Sequence, residues 1–157
     1  MLLAEALALR ADQQKLLKEL GARIQDNARV PEGAEPDEDP AALLERAVAA
    51  TGELTVLIQR INRTNGGTVV DAESGDTVSD LIAERDRAQR MTQLYRTAAQ
   101  AGTRGRGRGF LARDGDGPTR AALDVSALQA IADSWAERYR EVDVRLQQLN
   151  WSTDLAE

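Results

Sequence analysis

The sequence contains four long segments in which apolar residues recur at alternating intervals of three and four positions. This spacing places the apolar side chains along one stripe of an α-helix. In the last segment the repeat is strictly heptad, with Leu128, Trp135, Val142 and Leu149 at successive seven-residue intervals. The pattern therefore predicts an all-α protein with four helices. The predicted helices are residues 2–28, 40–65, 78–101 and 124–150.

Residues at the borders of these segments are typical helix starts and stops. Asp39 is placed to cap the second helix, and the proline that follows it suits the first helical position. The second helix is expected to end near Asn65, because glycines at 66–67 can take the left-handed conformation that closes a helix. The fourth helix is expected to begin with either Asp124 or Ser126 as its cap.

Helices of similar length favour antiparallel packing along their whole extent, so we expect a single domain over residues 1–157. The predicted architecture is an antiparallel four-helix bundle or a set of coiled-coil hairpins. Residues 66–76 combine a short β-prone run with a Ser-Gly-Asp turn, which predicts a small β-hairpin between helices two and three. The apolar seams are narrow and leave other helical faces free, which favours a homo-oligomer.

Composition excludes several kinds of chemistry. The chain has no histidine and no cysteine, so it lacks imidazole bases, thiol nucleophiles and the usual zinc ligands. The remaining residues show no recognisable arrangement of a nucleophile with a general base. We therefore expect no enzyme activity, no cofactor and no metal site. The net charge of −6 argues against nucleic acid or an anionic membrane as a partner of the chain as a whole.

A long connection between the third and fourth helices, residues 102–123, alternates arginine with glycine. Arg104, Arg106 and Arg108 form a candidate anion-binding site, because a guanidinium group can donate two hydrogen bonds to one phosphate and glycine allows the backbone to approach it. The alternative is that these arginines pair with acids of the same protein. Residues 30–39 carry five acids, and in an up-and-down bundle this loop and the Arg-Gly loop would be neighbours and would neutralise each other.

Two polar runs, residues 61–65 and 150–155, lie at the ends of the second and fourth predicted helices. The second and fourth helices run in the same direction in such a bundle, so their ends should be close together. A polar site or a structural network of capping residues is predicted there. The candidate residues are Asn62, Arg63, Asn65, Asn150 and Trp151.

No segment approaches the length of uncharged apolar sequence that a membrane span or a secretory signal requires. Residues 1–9 are apolar but include Glu5 and carry no preceding basic residue. We therefore expect a cytoplasmic protein.

The polar runs at the ends of the second and fourth helices belong to a family resemblance that extends over nearly the whole chain. The chain resembles the septicolysin-like family of small helical bacterial proteins, which is largely a domain of unknown function. The resemblance implies a helical oligomer, and the family name implies membrane lysis. In the 102–123 loop the chain departs from the family pattern, because glycine and arginine replace a short strand there. The matching segments are residues 3–12, 35–40, 57–65, 85–86, 139–143 and 150–155.

The leading hypothesis for the function is a non-enzymatic assembly or interaction protein. Its partner would be a second copy of the chain or another protein, recognised through the heptad seams. Polyanion or nucleic-acid binding through the Arg-Gly loop is the alternative from a different class. Membrane lysis is a third hypothesis, and only the family name implies it.

Overall fold

The computed structural model describes residues 1–104 and 120–157, and within these two stretches it contains four α-helices and no β-strand. Helix α1 spans Leu3–Asn27, α2 spans Pro40–Gly67, α3 spans Val78–Arg104 and α4 spans Val125–Ser152. The predicted all-α class is confirmed. The chain divides into two compact units. The first contains Met1–Val78 and Gln148–Glu157, and the second contains Ser79–Gln147.

In the first unit, α1 and α2 pack against each other in antiparallel directions. Leu3, at the start of α1, shares a buried cluster with Leu57 and Ile61, which lie towards the end of α2. At the opposite end, Arg23 in the last turns of α1 binds Glu38, just before α2 begins. Each large aliphatic side chain in such a core contributes about 1.5–3 kcal/mol. Apolar side chains of α1 and α2 therefore form most of the core of this unit.

Helix α2 begins where the sequence predicts and ends later. Asp39 caps it by accepting a 2.9 Å hydrogen bond from a backbone amide of the first turn. Gly66 and Gly67 were expected to close the helix in a left-handed conformation, but neither has a positive φ and both are helical. The helix continues because Thr68 donates its N–H to the Thr64 carbonyl at 2.9 Å, in the regular helical pattern.

The predicted β-hairpin between α2 and α3 is wrong. Residues 68–77 form a loop that contains no strand. Val69 and Thr77 make one isolated antiparallel bridge, and Gly75 turns the chain with a φ of 75°, which glycine adopts at little steric cost. The pairing stops at this one bridge: the Val70 amide donates to Asp76 at 2.8 Å and the Val78 amide donates to Thr68 at 3.0 Å, and no further ladder forms.

In the second unit, α3 and α4 also run antiparallel. Arg85 lies 3.9 Å from Asp143, and Arg96, further along α3, lies 4.0 Å from Asp133, earlier on α4. The buried side chains of this unit are small or aliphatic, as the low aromatic content requires. They are Leu81, Ala88, Thr92, Ala99, Ala132, Val142 and Leu146.

The connection between α3 and α4 is only partly described. The predicted 102–123 loop is shortened at its start, since α3 continues to Arg104. Residues 105–119 lie outside the described part of the chain. Asp124 accepts a 3.0 Å hydrogen bond from the amide of Ala127, which makes it the cap of α4.

Candidate functional site

Residues 153–157 are held against the last turns of α2, and we call this set of contacts the C-terminal clasp. Arg60 Nε donates to the carbonyl oxygen of Ala156 at 2.8 Å. The amide of Ala156 donates in turn to Thr64 Oγ1 at 2.9 Å. Thr64 is buried, and its hydroxyl also donates to the Arg60 carbonyl at 2.9 Å. One threonine hydroxyl therefore acts as donor to its own helix and as acceptor for the clasp.

The start of α1 joins the same end of the first unit. Leu3 donates its amide to the carbonyl of Thr153 at 2.8 Å, and Leu155 donates its amide to the carbonyl of Met1 at 2.9 Å. The side chain of Leu155 is buried in the cluster that contains Leu3 and Ile61. Backbone pairing and apolar packing thus reinforce each other where the two segments meet.

The structure places the five residues predicted for the helix ends differently from one another. Arg63 reaches the clasp, where its guanidinium donates to the backbone oxygen of Glu157. Asn62 is exposed, and Asn65 and Asn150 are half-buried; none of the three side chains hydrogen-bonds another described residue. Trp151 is 66% exposed and does not cover the helix ends. The polar contacts at this end of the unit are therefore made by arginine and threonine, and not by the asparagines.

The two residues that bind Ala156, Arg60 and Thr64, were not among the predicted site residues. Thr64 occupies the position after Ile61 in the buried stripe of α2, where an apolar side chain would be expected. A threonine inside an apolar heptad stripe is the signal that marks it. Arg60 lies just before the polar run and carries no comparable signal, since its partner is 96 residues away in the sequence.

The candidate anion-binding arginines cannot be placed as a group. Arg104 is the last residue of α3. Arg106 and Arg108 lie outside the described residues. The prediction for this loop therefore remains one that the sequence alone supports.

One face of α2 carries exposed aliphatic and threonine side chains without a charge, and we call it the α2 aliphatic face. Its members recur at intervals of four and three: Leu44, Val48, Thr51 and Thr55. Leu44 is 55% exposed and Val48 is 65% exposed. The hydroxyls of Thr51 and Thr55 donate to carbonyls one turn earlier, at 2.7 and 2.8 Å, so their methyl groups are free to face outward.

An ion pair fixes the loop between α1 and α2. Arg23 donates to both carboxylate oxygens of Glu38, with Nε at 2.8 Å from Oε2. This hydrogen bonding lowers the pKa of Glu38 and raises the pKa of Arg23. Asn27 ties the same loop to α1, because its side-chain oxygen accepts the Glu38 amide at 2.9 Å. One of the five loop acids is thus neutralised from α1.

Within the described ranges, no group of three or more carboxylates comes together in a way that would hold a metal ion. In the same ranges, no helix has the length and hydrophobicity that crossing a bilayer requires.

Comparison with known proteins identifies a family and a solved structure whose functions are unknown. A family model described as "Family of unknown function (DUF6847)" matches residues 10–155. A crystal structure of a functionally unknown conserved protein from Corynebacterium diphtheriae is 35% identical to the chain and superposes with a TM-score of 0.91. The match covers 99% of each of the two chains. No curated protein matches the sequence at a significant level. Neither match carries the septicolysin-like name that the sequence resemblance implied.

Proposed function

The chain belongs to DUF6847, a family of unknown function, and we propose that it is a non-enzymatic assembly protein that recognises a second copy of itself. The observation that supports this most directly is the α2 aliphatic face. A helix of a lone soluble subunit usually presents polar or charged side chains to water. Here Leu44 and Val48 are more than half exposed on one uncharged stripe.

The chemistry of this face favours contact with another protein surface. Burying apolar surface contributes about 25 cal/mol per Å². Thr51 and Thr55 would add no unsatisfied polar group, because their hydroxyls are already bonded to backbone carbonyls of α2. Covering the face therefore costs little desolvation and removes two large aliphatic side chains from water.

A second copy is the partner that this face suits best. The face has no charged group that would select an oppositely charged partner. A two-fold axis can place the same uncharged stripe against itself, so the acidic and basic residues of α2, such as Glu45, Arg46 and Glu53, remain in water. Two chains that each carry a net charge of −6 can then associate without bringing those charges into the contact.

The test is the mass of the particle in solution. We expect light scattering at micromolar concentration to give a mass above the 17.1 kDa of one chain. Val48→Glu should weaken association at least about tenfold, because a carboxylate would be buried in the contact. Ala42→Glu is the matched control: it adds the same charge to an exposed position on another side of α2, one turn before Arg46.

Three results would contradict the proposal. The first is a wild-type protein that stays strictly monomeric. The second is a Val48→Glu variant that associates like the wild type, and the third is an Ala42→Glu variant that loses association to the same degree. Circular dichroism of both variants shows whether each is folded.

The Arg-Gly loop supports a second candidate function, the binding of a polyanion or nucleic acid. Its support is the alternation of Arg104, Arg106 and Arg108 with glycine in the sequence. Binding should weaken steeply as salt rises, and it should disappear when all three arginines become alanine. The absence of a gel shift at low salt would contradict it.

The predicted four-helix bundle and the cytoplasmic location also belong to the proposal. The spacing of the apolar residues supports the bundle. The location is proposed because no segment of the sequence is a long uncharged apolar stretch. We do not propose membrane lysis, which rests on the family name alone.

A further inference from the structure

The second unit contains a cleft between α3 and α4 that the assembly proposal does not use. Its volume is about 600 Å³, within the range of small-molecule sites in proteins. Buried Thr92 contributes to its lining, but the Thr92 hydroxyl is already donated to the Ala88 carbonyl at 2.8 Å. The other polar side chains that line the cleft are Gln89, Arg90, Gln93, Arg96, Tyr139 and Arg140.

The charge of this lining is entirely positive. Three guanidinium groups line the cleft and no carboxylate does. Within the described chain, Arg90 and Arg140 have no ion-pair partner. Arg96 has one, Asp133, at the outer distance of 4.0 Å with both side chains exposed. Such a pair contributes little and leaves the guanidinium available to a ligand.

Three other arginines on the same two helices are paired with carboxylates. Arg85 is bonded to Asp86 at 2.8 Å and also faces Asp143. Arg87 and Arg138 both pair with Glu84, at 3.3 and 3.4 Å. Four carboxylates of α3 and α4 thus pair with arginines that do not line the cleft: Glu84, Asp86, Glu141 and Asp143.

We propose that this cleft binds a small, multiply charged oxyanion, carrying at least two phosphate or carboxylate groups. A guanidinium donates two parallel hydrogen bonds to either group, and three of them in one cleft match a ligand with several such groups. The glutamine amides and the Tyr139 hydroxyl add neutral donors around it. A net charge of −6 on the whole chain disfavours a long polyanion, whereas a small anion experiences mainly the local field.

The proposal is independent of self-association, and it has its own test. Isothermal titration of the full chain at low salt uses two probes, inorganic triphosphate and citrate. We expect one-to-one binding of at least one probe. The probe that binds more tightly assigns the site to phosphate or to carboxylate chemistry. The double variant Arg90→Gln/Arg140→Gln should weaken that binding at least about tenfold, because two charge-assisted donors are lost.

The matched control is Arg87→Gln/Arg138→Gln, which removes the same number of charges from the same two helices outside the cleft. It should weaken binding about threefold or less, since neither guanidinium lines the cleft. Failure of both probes to bind would overturn the proposal. Equal weakening by the two double variants would overturn it as well, because the cleft would then have no special role. All four arginines are exposed, and circular dichroism confirms that the variants are folded.

Discussion

Arg60 on α2 donates its Nε–H to the carbonyl oxygen of Ala156, a residue 96 positions later in the chain, at 2.8 Å. Thr64, one turn further along α2, accepts the amide of the same Ala156 at 2.9 Å. Both backbone groups of one residue are therefore bound by two side chains of a single helix turn. This arrangement holds residues 153–157 on the first unit and keeps Leu155 in its buried cluster.

Replacing Thr64 with valine should destabilise the fold by about 1–2 kcal/mol. Valine has nearly the same shape, but it cannot accept the Ala156 amide, which would lose its partner beside a buried position. The measurement is the free energy of unfolding by urea. Thr97→Val is the control, because Thr97 is an exposed residue of α3, and it should change stability by about 0.5 kcal/mol or less. Equal effects of the two substitutions would contradict a role of the clasp in stability.

The Arg23–Glu38 pair should make stability depend on pH in a defined direction. The hydrogen bond that Glu38 accepts from Arg23 lowers the pKa of Glu38 below the ordinary value of 4.5. The stabilisation is therefore complete above pH 4.5 and is lost as the pH falls through the lowered pKa of the folded state. Glu38→Gln should lower the unfolding temperature at neutral pH, and the difference from the wild type should close in acid.

Thermal unfolding of the wild type and the variant between neutral and acid pH measures this difference. Glu35→Gln is the control, since Glu35 is an exposed residue of the same loop and its loss changes the net charge equally. A difference between wild type and Glu38→Gln that stays constant over the whole pH range would show that ionisation of Glu38 is not its cause.

Gln13 on α1 should be a site at which an apolar substitution stabilises the protein. Its Oε1 atom is buried, and in the described part of the chain it has no hydrogen-bond partner. A buried polar atom without a partner is costly, so Gln13→Leu should raise the free energy of unfolding by about 1–2 kcal/mol. Gln14→Leu, at the exposed neighbouring position, should have an effect of about 0.5 kcal/mol or less. A Gln13→Leu protein that is less stable than the wild type would contradict the prediction.

Two glycine-to-alanine substitutions should act in opposite directions. Gly75 has a φ of 75°, where a Cβ is strained, so Gly75→Ala should cost about 1 kcal/mol. Gly21 lies inside α1, and a Cβ built there has no neighbour within 4 Å. Gly21→Ala should therefore stabilise the fold by about 0.5–1 kcal/mol. Urea unfolding measures the change in the free energy of unfolding for each variant. If both substitutions stabilise the protein, or both destabilise it, the backbone argument is wrong for one of them.

The helices and several of their limits were predictable because short-range physics controls them. Apolar spacing along each segment identified all four helices, and Asp39 was identified as a cap from its neighbours alone. The prediction failed at Gly66 and Gly67, whose flexibility permits a helix end without requiring one. The helix continues there because Thr68 completes the next hydrogen bond of the ladder.

The candidate sites were less predictable, because their residues are distant in the sequence. The end of α2 was predicted as part of a polar site, and of the five residues named for it Arg63 contacts residues 153–157. The identities of Arg60 and Thr64 as the residues that hold Ala156 were not predicted. Periodicity identifies which face of a helix is apolar, but it does not identify which distant backbone group will lie beside that face.

The sequence by itself determined the fold class, the four helical segments and the absence of thiol and imidazole chemistry. Only the tertiary structure decided which side chains meet. The clasp joins α2 to residues 153–157, and the basic cleft brings Arg90 and Arg96 of α3 together with Arg140 of α4. The physical reason is the range of the interactions. Helix formation depends on neighbours within about one turn, whereas a binding site depends on how separate helices pack.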